Sequence, residues 1–191
     1  MDKTQLARRV QEACYLEGHF VLRSGMEANF YFDKYLFESD PELLRAVADL
    51  AVPLIPPGTE VLAGLELGGV PISTALSLAT GLPQVLVRKE AKTYGTAKLA
   101  EGPDIAGRRL LVVEDVVTTG GQVAASTSDL RARGAVVDAV LCVIDRRPDP
   151  GQVPESLAAV GLSMVSLFTL DDLLGAARSP APPPAQAPSP G

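Results

Sequence analysis

The chain has 191 residues, 47% of them hydrophobic, and a formal net charge of −6 from 17 basic and 23 acidic residues. That is length enough for one domain with a real core, and the acidic balance argues against a nucleic-acid binder, which carries a basic face. No apolar run approaches the roughly 20 residues needed to cross a bilayer, and the polar start MDKTQLARRVQEA lacks the apolar stretch of a signal peptide. The expected compartment is the cytoplasm, with neither membrane nor nucleic acid as partner.

Residues 3–17 read as an amphipathic helix, with Leu6, Val10, Ala13 and Cys14 at helical spacing. Residues 20–37 are aromatic and β-branched enough for short strands about a Ser24-Gly25 turn. Asp40-Pro41-Glu42 is a capped helix start, and Leu43, Leu44, Val47 and Leu50 supply its buried stripe before Pro53 to Gly58 stop it. The pattern then alternates: strand 60–65, helix 70–80, strand 84–87, strand 109–114, helix 121–133 ending at Gly134, and strand 136–144. A last strand over 165–168 leads to a short helix near Thr169. Alternating strands and helices predict an α/β fold, a mainly parallel central sheet flanked by helices, with residues 1–37 forming an N-terminal helix and a small hood.

Two segments stand apart. Residues 88–108 form a long charged stretch without apolar periodicity, and loops of that length in compact domains are usually functional; a mobile lid is expected. The tail 179–191, SPAPPPAQAPSPG, carries six prolines and no charge, and is expected to lie disordered outside a single domain spanning 1–178. Cys14 and Cys142 sit among apolar residues and read as buried free thiols. A single histidine, His19, argues against His-rich zinc chemistry and against a Ser-His-Asp triad unless His19 is its base.

In sheets of this kind ligands bind beyond the carboxyl ends of the strands. Glu114, Asp115 and Arg146 fall at such ends, and Gly68-Gly69 follows the strand ending near Leu65. The most informative run is LLVVEDVVTTGG, residues 110–121: a buried strand, two carboxylates, then a hydroxyl- and glycine-rich turn entering a helix. Backbone N–H groups at a helix start attract an anion, and the glycines let the backbone approach it closely. The carboxylates suit ribose hydroxyls or magnesium. The pattern predicts a sugar-phosphate site. Basic residues cluster separately, at Arg88, Lys89, Lys92 and Lys98 with Arg108 and Arg109 behind, and suggest a small, highly anionic ligand.

Neither a Walker A pattern nor a GxGxxG fingerprint is present. The run Val112 to Gly121 resembles the 5-phosphoribosyl 1-pyrophosphate (PRPP) signature of the type I phosphoribosyltransferases. RKEAKTYG, Arg88 to Gly95, resembles the catalytic loop of the orotate-specific branch, written RKExKxHG. LRSGMEANFYFDKYLF, Leu22 to Phe37, resembles that branch's N-terminal region, and Asp145-Arg146 matches the place of its orotate-binding arginine.

The resemblance implies transfer of phosphoribose from PRPP to orotate, giving orotidine 5′-monophosphate and pyrophosphate in pyrimidine biosynthesis. The 5′-phosphate would lie on Thr118, Thr119, Gly120 and Gly121, flanked by Val116, Val117 and Gln122. Glu114 and Asp115 would support the ribose as it gains positive charge. Arg88, Lys89, Lys92 and Tyr94, with the backbone of Gly68 and Gly69, would hold pyrophosphate, Lys92 being the main catalytic cation. Arg146, Thr118, Arg23, Phe30 and Tyr31 would hold orotate. The resemblance further implies Mg²⁺ held mainly by PRPP, with no dedicated protein cage, and a homodimer sharing the catalytic loop across subunits.

Three positions depart from the family pattern: Tyr94 replaces a histidine, Gly68 lies where some members have a lysine, and Arg23 stands where a lysine is common. A phenol does not titrate near neutrality as imidazole does, so Tyr94 is expected to bind rather than to exchange protons. Competing readings are a purine-type phosphoribosyltransferase and a non-catalytic PRPP-sensing regulator.

Overall fold

The structure is a computed structural model that describes residues 1–21, 25–89 and 99–178. The chain opens on α1 (Lys3–Cys14), started by a reciprocal cap. Asp2 accepts from the Gln5 backbone N–H at 2.8 Å, and Gln5 accepts from the Asp2 N–H at 3.1 Å. The helix ends three residues earlier than its spacing predicts. Tyr15–Val21 instead form β1, an antiparallel partner of β2 (Glu27–Phe32). Cross-strand ring pairs favour this outcome: Tyr15 stacks on Phe30 at 5.5 Å and Phe20 meets Tyr31 at 5.6 Å. This hairpin is the hood.

A short helix, α2 (Tyr35–Ser39), leads to α3 (Pro41–Ala51), whose Asp40 cap accepts from the backbone N–H groups of Glu42 and Leu43 as the sequence predicts. The alternating part follows as β3 (Val61–Leu65), α4 (Gly69–Thr80), β4 (Gln84–Val87), β5 (Ala100–Glu101), β6 (Arg109–Val117) and α5 (Gly121–Ala132). It closes with β7 (Val136–Asp145), α6 (Glu155–Ala158), β8 (Ser163–Thr169) and α7 (Leu170–Arg178). The sheet runs β5-β4-β3-β6-β7-β8, parallel throughout except where β5 pairs antiparallel with β4.

Strand periodicity divides the interior in two. Leu111 and Val113 of β6 and Leu141 and Val143 of β7 pack with α1, α3, α4 and α7. Leu110 and Val112, Val140 and Cys142 face the opposite layer, with Val123 and Leu130 of α5 and Leu157 of α6. A sheet covered on both faces needs the near-continuous apolar strands seen here; all five residues of β3 are buried.

Two further expectations change. The segment 88–108 is not loop throughout: β5 lies within it, and Leu99 and Ile105 are buried. Strand β6 does not stop at Glu114 but continues to Val117, paired with β7 as far as Asp145. Glu114 and Asp115 are therefore ladder residues. Both cysteines are buried free thiols, and burial pushes Cys14 up to about 12. No helix among the described residues is long and apolar enough to cross a membrane. The proline-rich tail lies outside the described residues.

Leu141 is fully buried in a central strand, so Leu141→Ala should cost about 2–5 kcal/mol of unfolding free energy. Urea denaturation followed by circular dichroism measures it.

Candidate active site

The carboxyl ends of β6 and β7, the hood and the start of α2 enclose a cavity of about 410 Å³. Phe30, Tyr31 and Phe32 form one wall, Lys34 and Tyr35 another, and Val116, Thr118 and Arg146 the floor. Of the aromatic trio, Phe32 packs against the core while Phe30 and Tyr31 stay exposed. A flat apolar wall facing an arginine and a hydroxyl suits a planar ring bearing an anionic group.

Beneath the cavity lies a cluster of ionisable groups that the sequence reveals only in part. Asp115 has no exposed surface, and its Oδ2 is ion-paired with the Lys34 ammonium. Its Oδ1 accepts from the Val116 N–H at 2.6 Å. Burial would raise this carboxyl, but hydrogen bonding from Glu114 and the ammonium of Lys34 outweigh that and hold it below the ordinary carboxylate range. Burial likewise opposes the charge on Lys34, and Asp115 overrides it, leaving the lysine raised.

The two neighbouring glutamates behave in the opposite sense. Burial first, then the Asp115 carboxylate, pushes Glu114 up to about 9, and the same two causes push Glu38 up to about 9. Glu38 is 6% exposed. Near neutrality the cluster therefore holds one carboxylate, one ammonium and two protonated carboxyl groups, so it is close to neutral overall. Lys34 and Glu38 were not among the expected site residues. The only signal is local: two charged residues flank the apolar Tyr35-Leu36-Phe37 run.

The turn from β3 to α4 closes against this cluster. A Cβ on Gly68 would fall on the Asp115 carboxylate, and one on Gly69 on the Val113 carbonyl. Both glycines thus have a packing reason of their own, since only a bare backbone fits over β6. The Glu66–Leu67 peptide in this turn is cis.

At the other side, Thr118 and Thr119 are exposed and lead to Gly120, whose φ of +77° favours glycine. Helix α5 then begins at Gly121 without a side-chain cap, so its first N–H groups are available to an anion. Ser156 ties the turn down by donating to the Thr119 carbonyl at 2.6 Å. Gln122 is exposed and donates to Ser126 at 3.3 Å.

Arg146 follows β7, with its backbone N–H donating to Val117 at 3.0 Å. An arginine next to Asp145 and near Asp149 has carboxylates at hand to pair with. Asp145 is instead gripped by Arg147, which donates from Nε at 2.9 Å to one oxygen and from a terminal nitrogen at 2.6 Å to the other. Arg147 was missed because two arginines follow Asp145 and sequence alone does not say which turns inward.

Of the expected pyrophosphate cations, Arg88 lies 3.5 Å from Glu101 of β5 and Lys89 is exposed. Arg23, Lys92 and Tyr94 lie outside the described residues. No group of three or more metal-ligating side chains occurs among the described residues.

This fold and this turn-and-cavity arrangement define a phosphoribosyl-transfer enzyme, and residues 37–168 match the phosphoribosyl transferase domain. The chain belongs to that family. It groups within it among the orotate phosphoribosyltransferases: the one from Nocardioides sp. is 56% identical over 173 residues, covering 91% of this chain and 94% of that protein. The crystal structure of the Mycobacterium tuberculosis orotate phosphoribosyltransferase with Fe(III) dicitrate has a TM-score of 0.79 at 33% identity, covering 91% of this chain and 99% of that one. Its complex with 5-phospho-α-D-ribosyl 1-diphosphate has a TM-score of 0.75 at 30% identity, with the same coverage.

Glu38 provides a test of the cluster. In the unfolded chain it loses its proton near the ordinary 4.5; in the fold it keeps it up to about 9. The folded state holds the extra proton between these values, so the stability Glu38 confers is complete below pH 4.5 and is lost progressively up to about 9. Glu38→Gln should flatten the fall of melting temperature between these pH values and raise it at pH 8. A thermal-unfolding series across pH that runs parallel in both proteins would refute the buried protonated state.

Proposed function

We propose that this chain transfers the 5-phosphoribosyl group of PRPP to orotate, forming orotidine 5′-monophosphate and pyrophosphate in pyrimidine biosynthesis. A ring nitrogen of orotate forms the new bond to ribose C1, its proton leaves, and the C1–oxygen bond to pyrophosphate breaks. The observation that carries this reading is the freed Arg146. With Asp145 taken by Arg147, it shares one cavity with Thr118 and the exposed rings of Phe30 and Tyr31.

In this reading the ring of orotate lies against Phe30 and Tyr31, its carboxylate meets Arg146, and Thr118 donates to an exocyclic oxygen. Arg23 approaches the same ligand. The 5′-phosphate rests on Thr118, Thr119, Gly120 and Gly121 at the uncapped start of α5, beside Val116, Val117 and Gln122. Arg88, Lys89, Lys92 and Tyr94 hold pyrophosphate, with backbone N–H groups of Gly68 and Gly69, and Lys92 stabilises its departing charge. Binding of pyrophosphate would draw Arg88 from Glu101.

Glu114 and Asp115 lie beneath the ribose. The ionised Asp115 supports the developing positive charge through the field rather than by contact, because its side chain is sealed. Glu114, carrying a proton, is suited to hydrogen-bond a ribose hydroxyl. Mg²⁺ would be carried by PRPP and neutralise pyrophosphate as it leaves; it keeps several waters and needs few protein ligands. A homodimer sharing the catalytic loop, in the cytoplasm, completes the proposal.

Incubation with PRPP, Mg²⁺ and orotate should consume orotate absorbance, whereas adenine, guanine and xanthine should not replace it. Consumption of a purine base with orotate untouched would overturn the assignment. Arg146→Ala should raise KM for orotate by roughly tenfold or more, as expected for losing a hydrogen bond to a charged group, with little change for PRPP. Lys92→Ala should lower kcat by about 100-fold or more with an unchanged melting temperature. Near-wild-type turnover in that variant would remove Lys92 from the chemistry.

A further inference from the structure

Lys34 stands where two parts of the site meet. Its ammonium is ion-paired with the sealed Asp115 and lies 5.2 Å from the centroid of the Tyr35 ring. Its side chain nevertheless remains one-third exposed, and it lines the same cavity as Arg146 and Thr118. An ammonium has three N–H donors. Asp115 takes one direction, the aromatic face attracts the charge along another, and the exposed part faces the cavity. A lysine otherwise free to rotate is thus anchored at its tip, which lowers the entropy lost when it meets a ligand.

We propose that Lys34 is a second cation of the base-binding cavity, fixed by Asp115 and Tyr35, and that it donates to a ring carbonyl oxygen of the pyrimidine as the ring becomes anionic. This rests on the orotate reading above. The chemistry requires such a group: when the reacting ring nitrogen gives up its proton, negative charge spreads onto the carbonyl oxygens, away from the carboxylate that Arg146 serves. Arg146 is committed to the carboxylate and Thr118 offers one carbonyl oxygen only a neutral hydroxyl, so a charged donor to the ring stabilises its anion further. The Asp115 carboxylate offsets part of the charge of Lys34 but leaves its remaining N–H donors, since it is sealed behind the lysine and presents no oxygen to the ligand. Arg146 then selects the carboxylate and Lys34 the ring, so the two residues make separable contributions to specificity.

Steady-state kinetics of Lys34→Met should show KM for orotate raised roughly tenfold or more, the loss expected for a hydrogen bond to a charged partner. KM for PRPP should change by less than about threefold, and Lys34→Arg should recover most of the orotate affinity. Equal rises in both KM values, or an unchanged KM for orotate, would overturn the proposal. Lys34→Met also leaves Asp115 buried without its cation, so a second comparison removes both charges. Orotidine 5′-monophosphate binding, measured by titration calorimetry, should be about tenfold weaker in Lys34→Met/Asp115→Asn than in Asp115→Asn alone. Equal affinities would reduce Lys34 to a counter-ion of Asp115. Wild-type protein that fails to turn over orotate with PRPP refutes the orotate reading itself, whereas an active wild type with an unaffected Lys34→Met refutes only the role of Lys34.

Discussion

The site is organised around one buried ionised carboxylate. Asp115 sits in the β6 ladder with no exposed surface, and a charge so placed is tolerated only with a cation and hydrogen-bond donors beside it. Lys34 supplies the cation from the start of α2, Val116 supplies a backbone donor, and the two protonated carboxyl groups of Glu38 and Glu114 lie alongside. Removing the cation from such a pair typically costs about 3–5 kcal/mol. The hood and α2 are therefore bound to the sheet by electrostatic necessity as well as by the apolar contacts of Phe32 and Phe37. Gly68 belongs to the same constraint, because the turn above β6 approaches Asp115 too closely for any side chain.

A second buried ion pair works differently. Arg147 and Asp145 close on one another in a bidentate fork at the end of β7. Planar, two-point pairing fixes direction as well as distance. Its consequence for the neighbouring residue is release: Arg146 is denied its adjacent carboxylate and lines the cavity instead. One pair seals a charge under the site, and the other frees a charge to serve it.

Much of this was legible in the sequence because it depends on local pattern. The apolar runs of β3, β6 and β7, the Asp40 cap and the glycine-rich entry to α5 are each specified by neighbours in the chain. What escaped depends on distant partners. Glu114 and Asp115 look like the end of a strand because carboxylates break an apolar run, yet pairing with β7 carries the ladder on to Val117. Ala100 and Glu101 form a strand only because the edge of β4 is there to receive them. Tyr15 leaves its helix because Phe30 and Phe32 lie opposite. Lys34 and Glu38 carry no motif at all. Their significance comes from Asp115, which is remote in sequence and adjacent only after the hood has docked.

The charge distribution shows how an acidic protein can present an anion site. With a formal net charge of −6, the long-range field of the chain gives an anionic substrate no help, and screening confines exposed charges to about 8–10 Å in any case. Attraction must come from fixed donors at short range. The structure provides three kinds of them: the released guanidinium of Arg146 and the anchored ammonium of Lys34 line one cavity, and the uncapped N–H groups of α5 follow the turn that begins at Thr118. Two protonated glutamates serve the same end by withholding negative charge from the floor of the site. Were Glu38 and Glu114 ionised, three carboxylates would face one lysine, and the floor would repel the ligands its walls are built to hold. Burial of those carboxyl groups is thus part of the electrostatics of the site, because it suppresses charge where charge would be of the wrong sign.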